Sequence, residues 1–326
     1  LLEMCFANTK GGLELSLDAL SPASDFAHTL FAENPAVVVQ VADAHNEAFS
    51  AVLAEAGVAA VELGRPVEGR TLTLRRADRQ LALDIDALRE DWYGTSAEMD
   101  TFQSFHGCAE QRAHNYKSQP LHFRLPASFD GSFATLGVSP DRRTPSGVRA
   151  AIIREKGTNG EREMAYILHL AGFDVKDVTM TDLVSGRETL DEVNFIVFCG
   201  GFSNSDVLGS AKGWAGAFLF NPKAKAALDR FYARPDTLSL GVCNGCQLMV
   251  ELGLVNPEHT DRRARMLHND SHKFESGFVG VDVAPNDTVL FSSLSGSRLG
   301  IWVAHGEGKF NLPRPAADYN IVLSYA

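Results

Sequence analysis

The chain has 326 residues, 45% hydrophobic and 22% charged, which is enough to bury a sizeable core and long enough for two domains. A net charge of −11 argues against a nucleic-acid partner, which would need clustered Lys and Arg to neutralise phosphates. No apolar run reaches membrane-span length, no signal-peptide pattern opens the chain, and five scattered cysteines make no disulfide framework; the expectation is a globular protein of the reducing cytoplasm.

The chain opens on Leu-Leu-Glu-Met and stops on Ile-Val-Leu-Ser-Tyr-Ala, so both ends read as cut from something longer. Leu1 to Phe6 reads as the end of a helix. Ala36 to Val41, rich in Val, predicts a buried strand. His45 to Ala56 puts Phe49, Val52, Leu53 and Ala56 on one helical face, with Gly57 as the stop. Short strands are predicted at Ala59–Leu63, Arg70–Arg75 and Gln80–Leu83, and a helix at Ile85–Trp92. This is an α+β pattern rather than a repeating βαβ one. Ser118 to Gly147, with Pro120, Pro126, Pro140 and Pro145, reads as a connecting segment. The domain division is therefore expected as residues 1–140, linker included, and 147–326.

From Val148 the pattern changes. Val148–Arg154 predicts a strand, and Thr158-x-x-Glu161 a capping box opening a helix through Ala171 that buries Met164, Ile167, Leu168 and Ala171 before Gly172 ends it. Strands follow at Phe173–Met180 and Val193–Cys199. Asn221 and Pro222 read as N-cap and N1 of a helix to Ala233. Leu238–Val242 is a further strand. Apolar strands alternating with helices predict an α/β fold, a mostly parallel sheet covered on both faces. Past Met266 the pattern turns antiparallel, at Phe278–Val283 and Leu299–Ala304.

The strongest candidate for chemistry is Gly241-Val-Cys-Asn-Gly-Cys-Gln247. A strand, a sharp turn and a helix with Cys243 at the apex is the logic of a nucleophile elbow, and Gly241 and Gly245 leave room where the chain reverses. The helix start favours a Cys243 thiolate, able to form a covalent acyl intermediate. Cys243 and Cys246 also spell Cys-x-x-Cys, which leaves open a thiol redox or sensing protein; a structural zinc site would need a second close pair that the chain lacks. Cys246 reads as a core residue of the helix. Gly200 and Gly201, at the end of a strand, can bring backbone N–H groups close to a ligand, as an oxyanion hole requires. His305-Gly-Glu307 places a base and an acid in one loop. His259, His268 and His272 lie in polar, exposed segments. Gly157-Thr-Asn-Gly160 fits neither phosphate-binding glycine pattern and reads as a capped helix start.

The Gly-x-Cys-x-Gly-x-Gln elbow resembles that of class I, triad-type glutamine amidotransferases, and within them the large single-chain phosphoribosylformylglycinamidine synthases. Arg154-Glu-Lys-Gly-Thr-Asn-Gly-Glu-Arg-Glu-Met164, Cys199-Gly-Gly-Phe-Ser-Asn-Ser-Asp206, Asn269-Asp-Ser-His-Lys-Phe-Glu275 and His305-Gly-Glu-Gly-Lys309 carry the same likeness. It extends over residues 1–140, which resemble the end of the family's second, aminoimidazole ribonucleotide synthetase-like half. The resemblance implies a glutamine-dependent carbon–nitrogen ligase of purine biosynthesis. In it, L-glutamine would be cleaved through a Cys243 glutamyl thioester. Ammonia would then pass to a synthetase that uses ATP and Mg²⁺ on formylglycinamide ribonucleotide, in a cytoplasmic, monomeric complete enzyme. It further implies that Gly200 or Gly201 and the Asn244 N–H bind the oxyanion, and that Gln247, Asn269 and Phe274 shape the glutamine pocket. Two departures qualify it. The family's catalytic His and Glu come from a His-Pro-Glu segment beyond where this chain stops, and His305-Gly-Glu307 matches an upstream loop instead. The family's Mg²⁺-ATP carboxylates lie before residue 1. An interaction fragment that binds without turning over is the third reading.

Overall fold

The computed structural model describes residues 1–20, 25–105, 107–118, 122–258 and 263–326. These form two compact units, residues 1–103 with 107–118, and residues 104–106 with 119–326.

The first unit is built on a four-stranded sheet of β1 (Gly11–Ser16), β2 (Gly64–Glu68), β3 (Thr71–Arg76) and β4 (Arg79–Asp84), in the order β2-β1-β3-β4. β1 runs parallel to β3, and the other pairs are antiparallel. Leu15, Leu72 and Leu74 make its core together with Leu17, Cys5 and Ile85. Helices α1 (Phe26–Leu30), α2 (Asn46–Glu55), α3 (Ile85–Gln103) and α4 (Cys108–His114) complete the unit. Several expectations change here. Leu1–Phe6 contains only a 3-10 turn, Glu3–Cys5. Ala36–Val41 is not a strand, and Val37 is 87% exposed. A Val run becomes a strand only through a neighbour's ladder of hydrogen bonds, and no strand of the sheet pairs with it. Ala59–Leu63 is likewise irregular. Pairing starts one residue later at Gly64, whose missing side chain lets the backbone close on β1: a Cβ there would lie 2.1 Å from the Glu14 carbonyl oxygen. α2 ends before Gly57 as expected, but none of its residues is buried. α3 runs past Trp92 to Gln103, since no Pro interrupts it.

The second unit holds β5 (Arg149–Arg154), β6 (Thr158–Asn159), α5 (Glu161–Leu170), β7 (Asp174–Thr179), α6 (Met180–Ser185), β8 (Phe195–Phe198) and β9 (Gly200–Gly201). After them come α7 (Lys212–Leu219), α8 (Pro222–Ala233), β10 (Leu238–Gly241) and α9 (Asn244–Glu251). Its central sheet, β10-β8-β5-β7, is parallel throughout. Alternate residues face opposite sides, as a strand's two-residue period demands. Ala151, Ile153, Ile196 and Phe198 pack against α6 to α9 through Leu183, Trp214, Phe231 and Leu248. Ala150, Ile152, Val197 and Cys199 pack with Leu168 and Met164 of α5. The α/β fold with helices on both faces is thus present. Beyond it lie β11 (Arg265–Leu267), β12 (Glu275–Val283), β13 (Arg298–His305), β14 (Lys309–Asn311) and β15 (Leu323–Tyr325). β12 lies between β13 and β15, antiparallel to both, and β11 pairs with β14.

Asn221 caps α8 as the sequence predicts, accepting from the N–H groups of Lys223 and Ala224. The capping box at Thr158 does not form. Thr158 and Asn159 are drawn into a two-residue ladder with Gly201 and Gly200, and the helix starts instead from Gly160 in the left-handed region, φ 83°. A capping box stands at Thr179 and Asp182. On α5, Leu168 is buried and Met164 packs in the core, but Ala171 is exposed and Ile167 is 57% exposed.

Candidate active site

The elbow forms at the carboxyl end of β10. Val242 N–H donates to the Phe198 carbonyl at 3.0 Å, and Gly245 N–H closes the turn on the Val242 carbonyl at 2.9 Å. Cys243, at the N-cap of α9, is held at φ 53°, ψ −112°, a conformation that costs about 1–3 kcal/mol for a residue with a side chain. Its thiol is exposed and donates to the Ala304 carbonyl of β13 at 3.5 Å. The crowding that the sequence suggested at Gly245 is real. A Cβ there would lie 2.0 Å from the Phe198 carbonyl oxygen, so only glycine lets α9 sit directly on β8.

Gly200 faces Cys243, and a Cβ on it would lie 3.0 Å from Cys243 Cβ and 3.7 Å from Sγ. Backbone therefore meets the sulfur with no side chain between them. Gly157 packs under the same loop, where its own Cβ would meet the Phe202 carbonyl oxygen at 2.1 Å. The Gly157–Gly160 turn thus supports the glycine loop rather than simply starting a helix.

An open cleft of about 880 Å³ lies over these residues. Cys243, Gly200, Gly201, Gln247 and Phe274 line it; Asn244 and Asn269 stand behind its wall. Asn244, 1% exposed, accepts from Ser203 N–H at 3.1 Å and donates to Gln247 Oε1 at 2.8 Å. Gln247 Nε2 donates to the Glu307 carbonyl at 2.9 Å. Asn269 Nδ2 donates to the carbonyls of His305 and Lys273, and Oδ1 accepts from Gly308 N–H and meets His305 Nδ1 at 2.9 Å. The amides of Gln247 and Asn269 are thus engaged within the protein, and they shape the cleft by fixing its walls.

His305 and Glu307 do not form a pair. His305 Nδ1 is turned to Asn269, and the Glu307 carboxylate accepts from the backbone N–H and the hydroxyl of Ser210. Burial pushes the thiol of Cys199 up to about 11, and burial first, then the Cys243 charge, raises that of Cys246. All five cysteines are free.

Some lining residues were not singled out from the sequence. Glu163, Met164 and Ile167 of α5 turn to the cleft, and helical periodicity marked the last two only as apolar. His268 and His272 line it from the opposite side, their rings stacked with centroids 6.0 Å apart. Their segment read only as polar and exposed. His259 and Pro120 lie outside the described residues.

Residues 147–324 match the family described as "CobB/CobQ-like glutamine amidotransferase domain". The chain is 39% identical over 340 residues to the human protein named phosphoribosylformylglycinamidine synthase, covering 98% of this chain and 25% of that protein. An Arabidopsis thaliana protein named as a probable chloroplastic or mitochondrial phosphoribosylformylglycinamidine synthase is 35% identical over 323 residues, 96% of this chain and 22% of its own length. The chain thus spans about a quarter of the length of the curated relatives it matches. A solved structure described as PurLQS from Thermotoga maritima aligns with 55% of this chain and 74% of its own at 27% identity and a TM-score of 0.43.

Proposed function

The chain belongs to the CobB/CobQ-like glutamine amidotransferase family, and from that premise we propose that it is the glutamine-hydrolysing, ammonia-supplying part of a phosphoribosylformylglycinamidine synthase. The observation that carries this reading is the exposed, strained Cys243 beside Gly200 in the cleft. Glutamine enters with its side-chain amide over the sulfur. Sγ bonds to the amide carbon, the carbonyl oxygen gains negative charge, and the N–H groups of Asn244 and of Gly200 or Gly201 stabilise it. The C–N bond then breaks, and the thiol proton leaves with the nitrogen as ammonia. A glutamyl thioester remains, which water cleaves to glutamate and free thiol. In the whole protein the ammonia would convert formylglycinamide ribonucleotide to formylglycinamidine ribonucleotide at the expense of ATP, with Mg²⁺, in the cytoplasm. Among the described residues no group of three or more His, Cys, Asp or Glu side chains has the geometry to hold a metal ion. Within the same residues no helix is long and apolar enough to cross a membrane.

The test is a diazo-ketone analogue of glutamine, with the adduct located by mass spectrometry. It is expected on Cys243, to be suppressed by L-glutamine, absent from Cys243→Ala and retained in Cys246→Ser. Equal labelling of Cys243→Ala overturns the reading. Loss of labelling in Cys246→Ser would point to a thiol pair instead.

A further inference from the structure

Beyond Gly200 and Gly201 the chain enters a loop with an unusual backbone. Asn204, Ser205, Asp206, Ser210 and Ala211 all have φ between 46° and 58°, the left-handed region that L-residues avoid. Such a backbone persists only where its surroundings hold it.

Asn204 N–H donates to the Lys156 carbonyl at 2.7 Å and Ala211 N–H to Asp206 Oδ1 at 2.9 Å, and a ring of hydrogen bonds ties the two ends of the loop to the elbow helix. At the start of the loop, Ser203 N–H donates to Asn244 Oδ1 at 3.1 Å. Asn244 Nδ2 donates to Gln247 Oε1 at 2.8 Å, and Gln247 Nε2 to the Glu307 carbonyl at 2.9 Å. At the end of the loop, the Glu307 carboxylate takes Ser210 N–H at 2.5 Å and Ser210 Oγ–H at 2.7 Å. Gly209, at φ 72°, leaves the carboxylate room, since a Cβ there would lie 3.0 Å from Glu307 Oε1. Asn244, Gln247 and Ser210 are buried. A carboxylate closing such a circuit makes charge-assisted bonds, the stronger kind.

We propose that Glu307 is a positioning residue for the thioester chemistry: through Ser210 it holds the loop 203–211, and with it the Gly200–Gly201 wall, against the elbow helix. This rests on the reading of the cleft given above. It differs from a catalytic role because the carboxylate acts through Ser210, which takes Oε2, while Oε1 lies 3.6 Å from His268 Nε2. Glu307→Gln retains an acceptor oxygen for Ser210, loses the charge and places an amide NH2 where Oε1 faces His268.

The test compares Glu307→Ala, Glu307→Gln and Ser210→Ala with the unaltered chain by hydrogen exchange of the 203–211 amides. It also resolves Cys243 alkylation by the diazo-ketone analogue into binding and inactivation constants. Glu307→Ala is expected to speed loop exchange and to lower the inactivation constant about ten- to a hundredfold, with binding little changed, because a misplaced wall costs the reaction more than the encounter. Glu307→Gln should stay close to the unaltered chain, and Ser210→Ala, which keeps its N–H, should fall between. Unchanged loop exchange in Glu307→Ala overturns the proposal, as does Glu307→Gln being as impaired as Glu307→Ala. Should the unaltered chain resist labelling, the glutamine reading fails, while the exchange measurement still decides whether Glu307 holds the loop.

Discussion

At the scale of single residues, Cys243 is set apart from its neighbours by what has been removed around it. Gly200 presents bare backbone to the sulfur, and Gly245 lets the helix sit on β8. Cys199 and Cys246, close in sequence or across the cleft, are held as neutral thiols by burial. The two glycines should therefore fail differently when substituted. Gly200→Ala brings a methyl to 3.0 Å from Cys243 Cβ and 3.4 Å from the Val242 carbonyl oxygen, which a backbone shift of a few tenths of an ångström at the elbow absorbs. The fold should hold within about 1 kcal/mol by urea unfolding, while alkylation of Cys243 slows. Gly245→Ala drives a methyl to 2.0 Å from the Phe198 carbonyl oxygen, where only backbone can yield. It should cost about 1–3 kcal/mol or more, as overpacking does, and be visible in the urea midpoint. The elbow was legible in the sequence because its residue types leave few alternatives. The engagement of Gln247 and Asn269 by the protein's own carbonyls was not, because their partners, Glu307 and His305, lie 60 and 36 positions away.

At the scale of elements, local signals succeeded where the deciding contact was itself local. The Asn221 side chain reaches N–H groups two and three residues on, so the start of α8 was visible in four letters. Replacing Asn221 by Ala should cost about 1 kcal/mol in chemical denaturation, without affecting Cys243 labelling, since α8 contributes no residue to the cleft wall. Thr158-x-x-Glu161 carried the same kind of signal and failed, because a distant strand competed for its backbone. Gly200–Gly201 captures Thr158 and Asn159, and Thr158 Oγ1 turns back to the Glu155 carbonyl. Ala36–Val41 failed for the complementary reason, since β propensity describes a side chain's fit to a sheet and supplies no neighbour.

At the scale of the molecule, the first unit carries an ionic anchor. Asp86 accepts from Arg70, Tyr116 and Lys117, at 2.9, 2.8 and 2.5 Å. Burial alone would raise its carboxyl, but the hydrogen bonds from Lys117, Arg70 and Tyr116 outweigh it and hold the pKa down at about 2. A carboxyl lowered in the folded state stabilises fully above its unfolded value, about 3.9, and that contribution disappears as pH falls to about 2. Urea midpoints of the chain should therefore drop across that window. Asp86→Asn should lower the midpoint at neutral pH and flatten this part of the acid limb; an unchanged acid limb would count against the anchor.

The sequence by itself determined the elbow with Cys243 at its apex, the parallel strands with helices on both faces, the cap of α8 and the antiparallel strands past Met266. Each of these is written in residue types and spacings that act over a few positions. Only the tertiary structure decided which histidines reach the cleft, why Ile167 stays exposed on an amphipathic helix, and that Glu307 closes on Ser210 rather than on His305. Those outcomes depend on which distant groups compete for the same donors and acceptors. Cys243 was legible as the apex of a tight turn from seven residues; the strained loop that walls it is held by a ring whose members span Ser203 to Glu307.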